Sequence, residues 1–144
     1  LPLQPLSKVA SGGESSRISL ALQVIASKTI KIPTLIFDEV DVGIGGKVAE
    51  IVGNIIKKLG QERQVLCITH LPQVAAAGDQ QWQVIKVQSQ KNNQPVLSEI
   101  SVLNQQQRIE EIARMLGGIT ITETTRQHAA EMLRSVSSIK IKHS

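Results

Sequence analysis

Aromatic side chains are almost missing from this sequence, whose 144 residues include one Trp, one Phe and no Tyr. Because Trp82 and Phe37 cannot fill the core of a domain of this length, Ile, Val, Leu and Ala must form it. The single cysteine, Cys67, excludes an internal disulfide and a cysteine-based metal site. Its apolar neighbours predict a buried strand residue. The length suits one compact domain and is too short for two of ordinary size.

Long apolar runs and clustered charges are also lacking. No stretch reaches the roughly 20 apolar residues that a membrane-spanning helix needs, and no signal peptide is recognisable. We therefore expect a cytoplasmic protein without a membrane partner. The formal net charge is +4, and basic residues are scattered except at Lys140, Lys142 and His143. Since a nucleic-acid surface normally gathers Lys and Arg on one face, this chain is not expected to bind DNA mainly through its own surface.

The order of apolar patterns predicts an α/β fold. Residues 34–38 and 64–69 are continuous apolar runs, typical of strands that are buried on both faces. Apolar residues at helical spacing, together with turn and capping residues, predict helices at 14–28, 47–59, 72–77, 105–116 and 123–135. Alternating strands and helices favour parallel strands joined by right-handed crossovers.

A different pattern follows the second strand. Residues 82–88 and 95–103 read as two strands separated by a polar turn, which predicts an antiparallel hairpin at the edge of the sheet. Asn104 and Gln107 have the spacing of a capping box for the next helix. We assign residues 1–135 to one lobe and residues 136–144 to a frayed tail.

The run Ser11-Gly12-Gly13-Glu14 has two interpretations. Ser11 and Glu14 form an S-x-x-E capping box, which marks the start of a helix. The two glycines would let backbone N–H groups approach a phosphate closely, and the positive helix end would favour it. A plain helix start with two flexible residues is the alternative.

Polar residues also stand at the ends of the two apolar strands: Asp38 ends the first and Glu39 follows it, and His70 follows the second. The carboxyl ends of parallel strands face the crevice in which open α/β sheets bind ligands. Asp38 would hold Mg²⁺ there, and Glu39 would polarise an attacking water. Ordinary polar residues at strand ends are the alternative.

The segment Gly43-Ile44-Gly45-Gly46-Lys47 only superficially resembles a phosphate loop. The pattern G-x-x-x-x-G-K-[ST] would need glycine at Asp41 and a hydroxyl at Val48. The sequence therefore contains no P-loop.

Taken in order, these motifs resemble those of ABC and SMC-type ATPases. The resemblance covers about residues 3–135. The residues of the motifs are most similar to those of SMC-like proteins of bacterial DNA repair. Residues 9–14 are similar to the signature motif LSGGQ or LSGGE, and residues 34–39 are similar to the Walker B strand. The D-loop corresponds to Val42, Gly43, Ile44 and Gly45, and the switch histidine corresponds to His70. Ala10 stands where leucine is usual, and Gly45 stands where the D-loop commonly ends in aspartate.

The resemblance implies the C-terminal lobe of an ATPase head with ATP and Mg²⁺ as cofactors. In such proteins the signature residues, here Ser11, Gly12, Gly13 and Glu14, close over ATP that is bound on a second head in an ATP-dependent homodimer. Asp38 as the metal ligand, with Glu39 and His70 as catalytic residues, would act on the ATP of their own head.

The resemblance also implies partners outside this sequence. The Walker A loop would come from the N-terminal lobe of the same protein, so this chain alone would be inactive. The whole protein would act on DNA in recombinational repair of double-strand breaks, in the bacterial cytoplasm at the nucleoid. Two other hypotheses remain open: a metal-dependent phosphohydrolase or nuclease using Asp38, Glu39, Asp41 and His70, and a non-catalytic dimerisation or DNA-binding module.

Overall fold

The computed structural model describes residues 20–21, 24–25, 32–38, 40–87, 97–118 and 120–138. Residues 20–21 and 24–25 are helical, and the rest of the helix predicted at 14–28 lies outside the described residues. The predicted α/β class is confirmed. The elements are β1 (Thr34–Asp38), α1 (Gly46–Leu59), β2 (Gln64–Ile68), α2 (Pro72–Ala77), β3 (Trp82–Val87), β4 (Leu97–Val102), α3 (Gln105–Gly117) and α4 (Glu123–Ser138).

Strands β1 and β2 form the predicted parallel pair. Their register runs from Thr34 opposite Gln64 to Asp38 opposite Ile68, so the two strands begin and end level. Phe37 of β1 is 1% exposed and belongs to a core that includes buried residues of α1. The buried positions of α1 are Ala49, Val52, Gly53 and Ile56. This spacing is the apolar stripe expected of a helix that covers a sheet.

Strands β3 and β4 form the predicted antiparallel pair, with Trp82 opposite Val102. Its predicted position at the edge of the parallel sheet is wrong: the described strands form two separate two-stranded sheets. A side-chain hydrogen bond fastens the hairpin to α3, because Gln83 Nε2 donates to Glu111 Oε2 over 3.0 Å. The hairpin is therefore attached to a helix rather than to β1 or β2.

Helix α2 joins two apolar cores. Val74 belongs to the core under the parallel strands, whereas Ala76 belongs to a second core formed with α3 and α4. The buried members of the second core are Ala76, Ile112, Ala113, Ala129 and Leu133. A six-residue helix is too short to be stable alone, so these contacts hold it in place.

Two cations fix the C-terminal end of α2. Arg108 is buried and donates to the carbonyl oxygens of Gly78 (2.8 Å) and Asp79 (3.3 Å). Lys57 Nζ donates to the carbonyl oxygen of Ala77 over 3.3 Å. Burial lowers the pKa of Arg108, and the negative charge of Asp79 opposes that shift. Positive side chains are favourable here because the last carbonyls of a helix lack intrahelical partners.

The C-terminal helices largely follow the sequence prediction. The capping box at α3 is confirmed: Asn104 Oδ1 accepts from Gln107 N, and Gln107 Oε1 accepts from Asn104 N. Helix α4 continues to Ser138, so the prediction of a frayed tail is wrong for residues 136–138. The half-buried Val136 extends the stripe of Ala129 and Leu133. Residues 139–144 lie outside the described residues, and none of the described helices is long and apolar enough to cross a membrane.

Candidate functional site

The candidate site lies where β1 and β2 end. Asp38 is the last residue of β1 and is opposite Ile68, the last residue of β2. Thr69 and His70 follow Ile68 directly, so Asp38 and the segment leading to His70 leave the sheet at the same edge. The side chain of Asp38 is exposed. Glu39 lies outside the described residues.

A buried carboxylate connects the two chain segments at this edge. Asp41 is 0% exposed, although it lies in the turn between β1 and α1. The hydroxyl of Thr69 donates to Asp41 Oδ2 and accepts from the backbone N–H of Leu71 over 3.0 Å. The segment after β1 is thereby tied to the segment after β2.

The second oxygen of the same carboxylate faces His70. Asp41 Oδ1 lies 3.6 Å from His70 Nδ1, and the His70 side chain is 66% exposed whereas that of Asp41 is 1% exposed. No described residue donates a hydrogen bond to Asp41 Oδ1. An imidazole that reaches into solvent is thus held close to a buried acceptor.

The predicted D-loop residues form a compact turn from Asp41 to Gly45. Ile44 N donates to the carbonyl oxygen of Asp41 over 3.3 Å, and Val48 N donates to that of Gly45 over 3.2 Å. Gly43 has φ of 71°, a left-handed conformation that favours glycine. Gly45 is extended, with φ of −161°, and a Cβ there would meet nothing within 4 Å. The fold of this chain therefore leaves room for a side chain at the position where related D-loops have aspartate.

Cys67 lies beneath this edge as the partner of Phe37 in the sheet register. Burial raises the pKa of the Cys67 thiol to about 11, and the negative charges of Asp41 and Asp38 add to the shift. A thiol with this pKa stays protonated at neutral pH. Cys67 is a half-buried strand residue that packs against the core, so the prediction of a buried strand residue is met in part.

The described residues bear on the two metal hypotheses in different ways. Magnesium at nucleotide sites is often held by one or two carboxylates together with phosphate oxygens and water. The exposed Asp38 suits that role. By contrast, the described part of the chain has no group of three His, Cys, Asp or Glu residues that could hold a metal. Asp41, which the nuclease hypothesis would use as a ligand, is instead buried against Thr69.

Five predicted site residues lie outside the described residues, and the structural roles of Thr69 and Asp41 were not predicted. Ser11, Gly12, Gly13 and Glu14 lie outside the described residues, as Glu39 does, so the signature motif stays a prediction. The sequence indicated no role for Thr69 and did not predict that a buried Asp41 accepts a hydrogen bond from its hydroxyl. The available signal was an ionisable residue between two apolar ones, Val40 and Val42, just after a buried strand.

No protein-family model matches the sequence, but curated proteins do. The chain is 54% identical over 132 residues to the DNA repair protein RecN of Vibrio cholerae, which covers 92% of this chain and 23% of that protein. Over 130 residues it is 52% identical to RecN of Haemophilus influenzae, and this alignment covers 90% of this chain and 23% of that protein. By sequence, the chain is similar to RecN. The RecN of Bacillus subtilis is 42% identical over 139 residues, 96% of this chain and 24% of that protein.

This chain therefore spans about a quarter of the length of the RecN proteins it matches. A solved structure from work on ATP-driven dimerisation and DNA-stimulated activation of SMC ATPases has the same fold. The match has a TM-score of 0.60 and 20% identity, and it covers 78% of this chain and 66% of the other. The RecN-like sequence and the SMC ATPase fold agree with the predicted fold class.

Proposed function

We propose that this chain is the C-terminal lobe of an SMC-like ATPase head, and that the whole protein hydrolyses ATP in the repair of DNA double-strand breaks. One observation carries the proposal: the level ends of β1 and β2 bring Asp38 and the Thr69-His70 segment to one edge. That edge is where open α/β sheets bind ligands. The RecN-like sequence supports DNA repair as the setting.

In this proposal three residues act on the ATP of their own head. Asp38 would hold Mg²⁺, which would neutralise charge on the phosphates. Glu39 acts as the general base for the attacking water, and a well-placed base contributes about 10²- to 10⁴-fold in rate. His70 contacts the γ-phosphate from the end of the neighbouring strand. The exposure of Asp38 and His70 supports their access to a ligand.

The signature residues act on a different ATP molecule. Ser11, Gly12 and Gly13, followed by Glu14, would close over nucleotide bound on a second head, using backbone N–H groups at a helix start. ATP would thereby join two heads, and closure of the heads would change how the full-length protein binds DNA. We place this activity in the bacterial cytoplasm, at the nucleoid.

Uncovered apolar surface supports a second lobe of the same polypeptide. Ile36 and Ile68 are 65% and 60% exposed, although parallel strands are normally covered on both faces. On the hairpin, one face has four exposed large apolar residues: Trp82, Val84, Ile100 and Val102. Because the chain spans a quarter of its RecN relatives, we assign this surface to the remaining polypeptide, including the lobe that carries the Walker A loop.

The test replaces Glu39 in the full-length protein that contains this segment. Glu39→Gln keeps the shape of the side chain but removes the base, so ATP turnover should fall at least about 10²-fold while ATP and Mg²⁺ still bind. ATP-bound head dimers should accumulate. Glu50→Gln is the matched control, because Glu50 is an exposed residue of α1.

Two outcomes would contradict the proposal. Nearly unchanged turnover in Glu39→Gln would remove Glu39 as the base. Repeated ATP hydrolysis by this chain alone, with contaminants excluded, would contradict a site that needs a separate Walker A lobe. Without the lysine and the backbone amides of that loop, the chain should hydrolyse no ATP.

A further inference from the structure

The carboxylate of Asp41 is the most deeply buried charged group among the described residues, and only half of it is satisfied. Its Oδ2 accepts from the hydroxyl of Thr69, whereas its Oδ1 accepts no hydrogen bond from any described residue. A buried acceptor without a donor costs about 1–3 kcal/mol, and more when it is charged. A donor that could reach Oδ1 would therefore be bound favourably.

The imidazole of His70 is a candidate donor that lies close to this oxygen. Its Nδ1 lies 3.6 Å from Asp41 Oδ1, slightly beyond the usual length of a hydrogen bond. Because the His70 side chain is 66% exposed, a small rotation of the ring can close this gap without displacing core residues. Catalytic hydrogen bonds are often long before the ligand binds and shorten in the complex.

We propose that Asp41 is a positioning residue for His70. Its Oδ1 accepts a hydrogen bond from His70 Nδ1–H, so Nδ1 keeps its proton and Nε2 is the nitrogen left to face the nucleotide. The hydrogen bond that one ring nitrogen makes decides the state of the other. Only the identity of what Nε2 touches rests on the proposed ATPase function; the orientation of the ring does not.

Thr69 makes this arrangement rigid. Its hydroxyl accepts from Leu71 N while it donates to Asp41 Oδ2. Two residues that flank His70 are thereby joined to the carboxylate that orients it. Asp41 also directly precedes residues 42–45, so any movement of the D-loop would move the acceptor of His70. The same carboxylate thus links the turn at residues 42–45 to His70.

The deciding experiment is a double-mutant cycle in the full-length protein that contains this segment. Asp41→Asn keeps the volume of the side chain and an acceptor for Thr69, but its NH₂ group can face Nδ1 and favour the opposite tautomer. We expect kcat for ATP to fall at least about tenfold with little change in KM. In a His70→Ala background, Asp41→Asn should have almost no further effect, because residues that act as a unit are not additive.

Independent effects that multiply in the double mutant would overturn the positioning role. A rise in KM at unchanged kcat would also overturn it, since it would indicate lost binding instead. Thermal melting of each variant shows whether a loss of activity comes from unfolding of the protein. If Asp41→Asn does not fold, Thr69→Ser and Thr69→Val replace it: Ser keeps the hydroxyl and should retain activity, whereas Val should lower kcat only when His70 is present.

A second measurement needs no ATPase activity. In this chain labelled with ¹⁵N-histidine, the His70 nitrogen shifts should report a proton on Nδ1, and Asp41→Asn should shift the proton to Nε2. The exposed His128 is the internal control, and His70→Ala assigns the signals. A wild-type His70 protonated mainly on Nε2 would overturn the inference. If Nδ1 is protonated but His70→Ala leaves ATP turnover intact, the ATPase role fails and the positioning contact stands.

Discussion

Gly53 of α1 lies so close to Ala77 of α2 that a Cβ at position 53 would be 3.0 Å from the Cβ of Ala77. The same Cβ would be 3.1 Å from the carbonyl oxygen of Gln73. Helix α2 begins two residues after His70. The close packing of α1 against α2 therefore fixes the helix that follows His70 in the chain.

Gly53→Ala should destabilise the protein. Alanine is the better helix former by about 1 kcal/mol, but overpacking typically costs about 1–3 kcal/mol. Here two of the three nearest atoms belong to the backbone of α2, so the helix itself must move. We expect a net loss of about 1 kcal/mol, measured by urea unfolding.

Gly45→Ala is the matched control for this loss of stability. A Cβ at Gly45 meets nothing within 4 Å, and its backbone is extended. Because Gly45 is the N-cap residue of α1, where alanine is less favourable than glycine, this variant should lose some stability through the cap but none through a clash with α2. Equal stability of Gly53→Ala and wild type would mean that α2 can shift away from α1 without cost.

Local elements of this fold could be predicted from the sequence because their signals are local. The bounds of α2 follow from Pro72 at its start and Gly78 after its end, and α3 follows from its capping box. The position of the hairpin could not be predicted this way. Its alternating pattern specifies pairing between β3 and β4, but its attachment to α3 depends on the distant contact between Gln83 and Glu111.

The residues of the candidate site likewise differ in whether a local sequence signal reveals them. Asp38 and His70 could be predicted because polar residues at the ends of apolar strands are visible in the sequence. The burial of Asp41 could not, since aspartate is rarely buried and its partner Thr69 is 28 residues away. The extension of α4 to Ser138 was missed because the residues near its end are polar and give little helical signal.

Cys67 should react slowly with alkylating reagents in the folded protein. With a pKa of about 11, its thiolate fraction at pH 8 is on the order of 10⁻³, whereas an ordinary thiol of pKa about 8.5 is about one quarter ionised. We expect iodoacetamide to modify the folded chain at least about 10²-fold more slowly than the urea-unfolded chain at pH 8. The rate should rise steeply towards pH 11.

The same shift has a consequence for stability. Because the folded pKa is raised, the folded state keeps the thiol proton that the unfolded state loses at lower pH. The contribution of Cys67 is complete below about pH 8.5 and is lost as the pH rises towards 11. Cys67→Ala should remove this part of the pH dependence. Rapid labelling of the folded protein at pH 8 would show that the thiol is not buried as described.

Ser11→Arg tests whether the signature motif acts on the nucleotide of a partner head. In the full-length protein, a single head should still bind ATP, because Ser11 would contact only ATP held by the other head. Dimer closure should fail, since the arginine side chain would fill the phosphate position at the helix start. Equilibrium ATP binding and ATP-dependent dimer formation measure the two effects separately.

Mixing this variant with a mutant of the Walker A lysine makes the test decisive. In a heterodimer one composite site carries both lesions and the other carries neither, so part of the ATPase activity should return. Each mutant alone, and each mixed with wild type, provides the reference activities. If heterodimers form but no mixture recovers activity, then either Ser11 acts within its own head or both sites must hydrolyse ATP together. Either result would reject closure over a partner's ATP at independent sites.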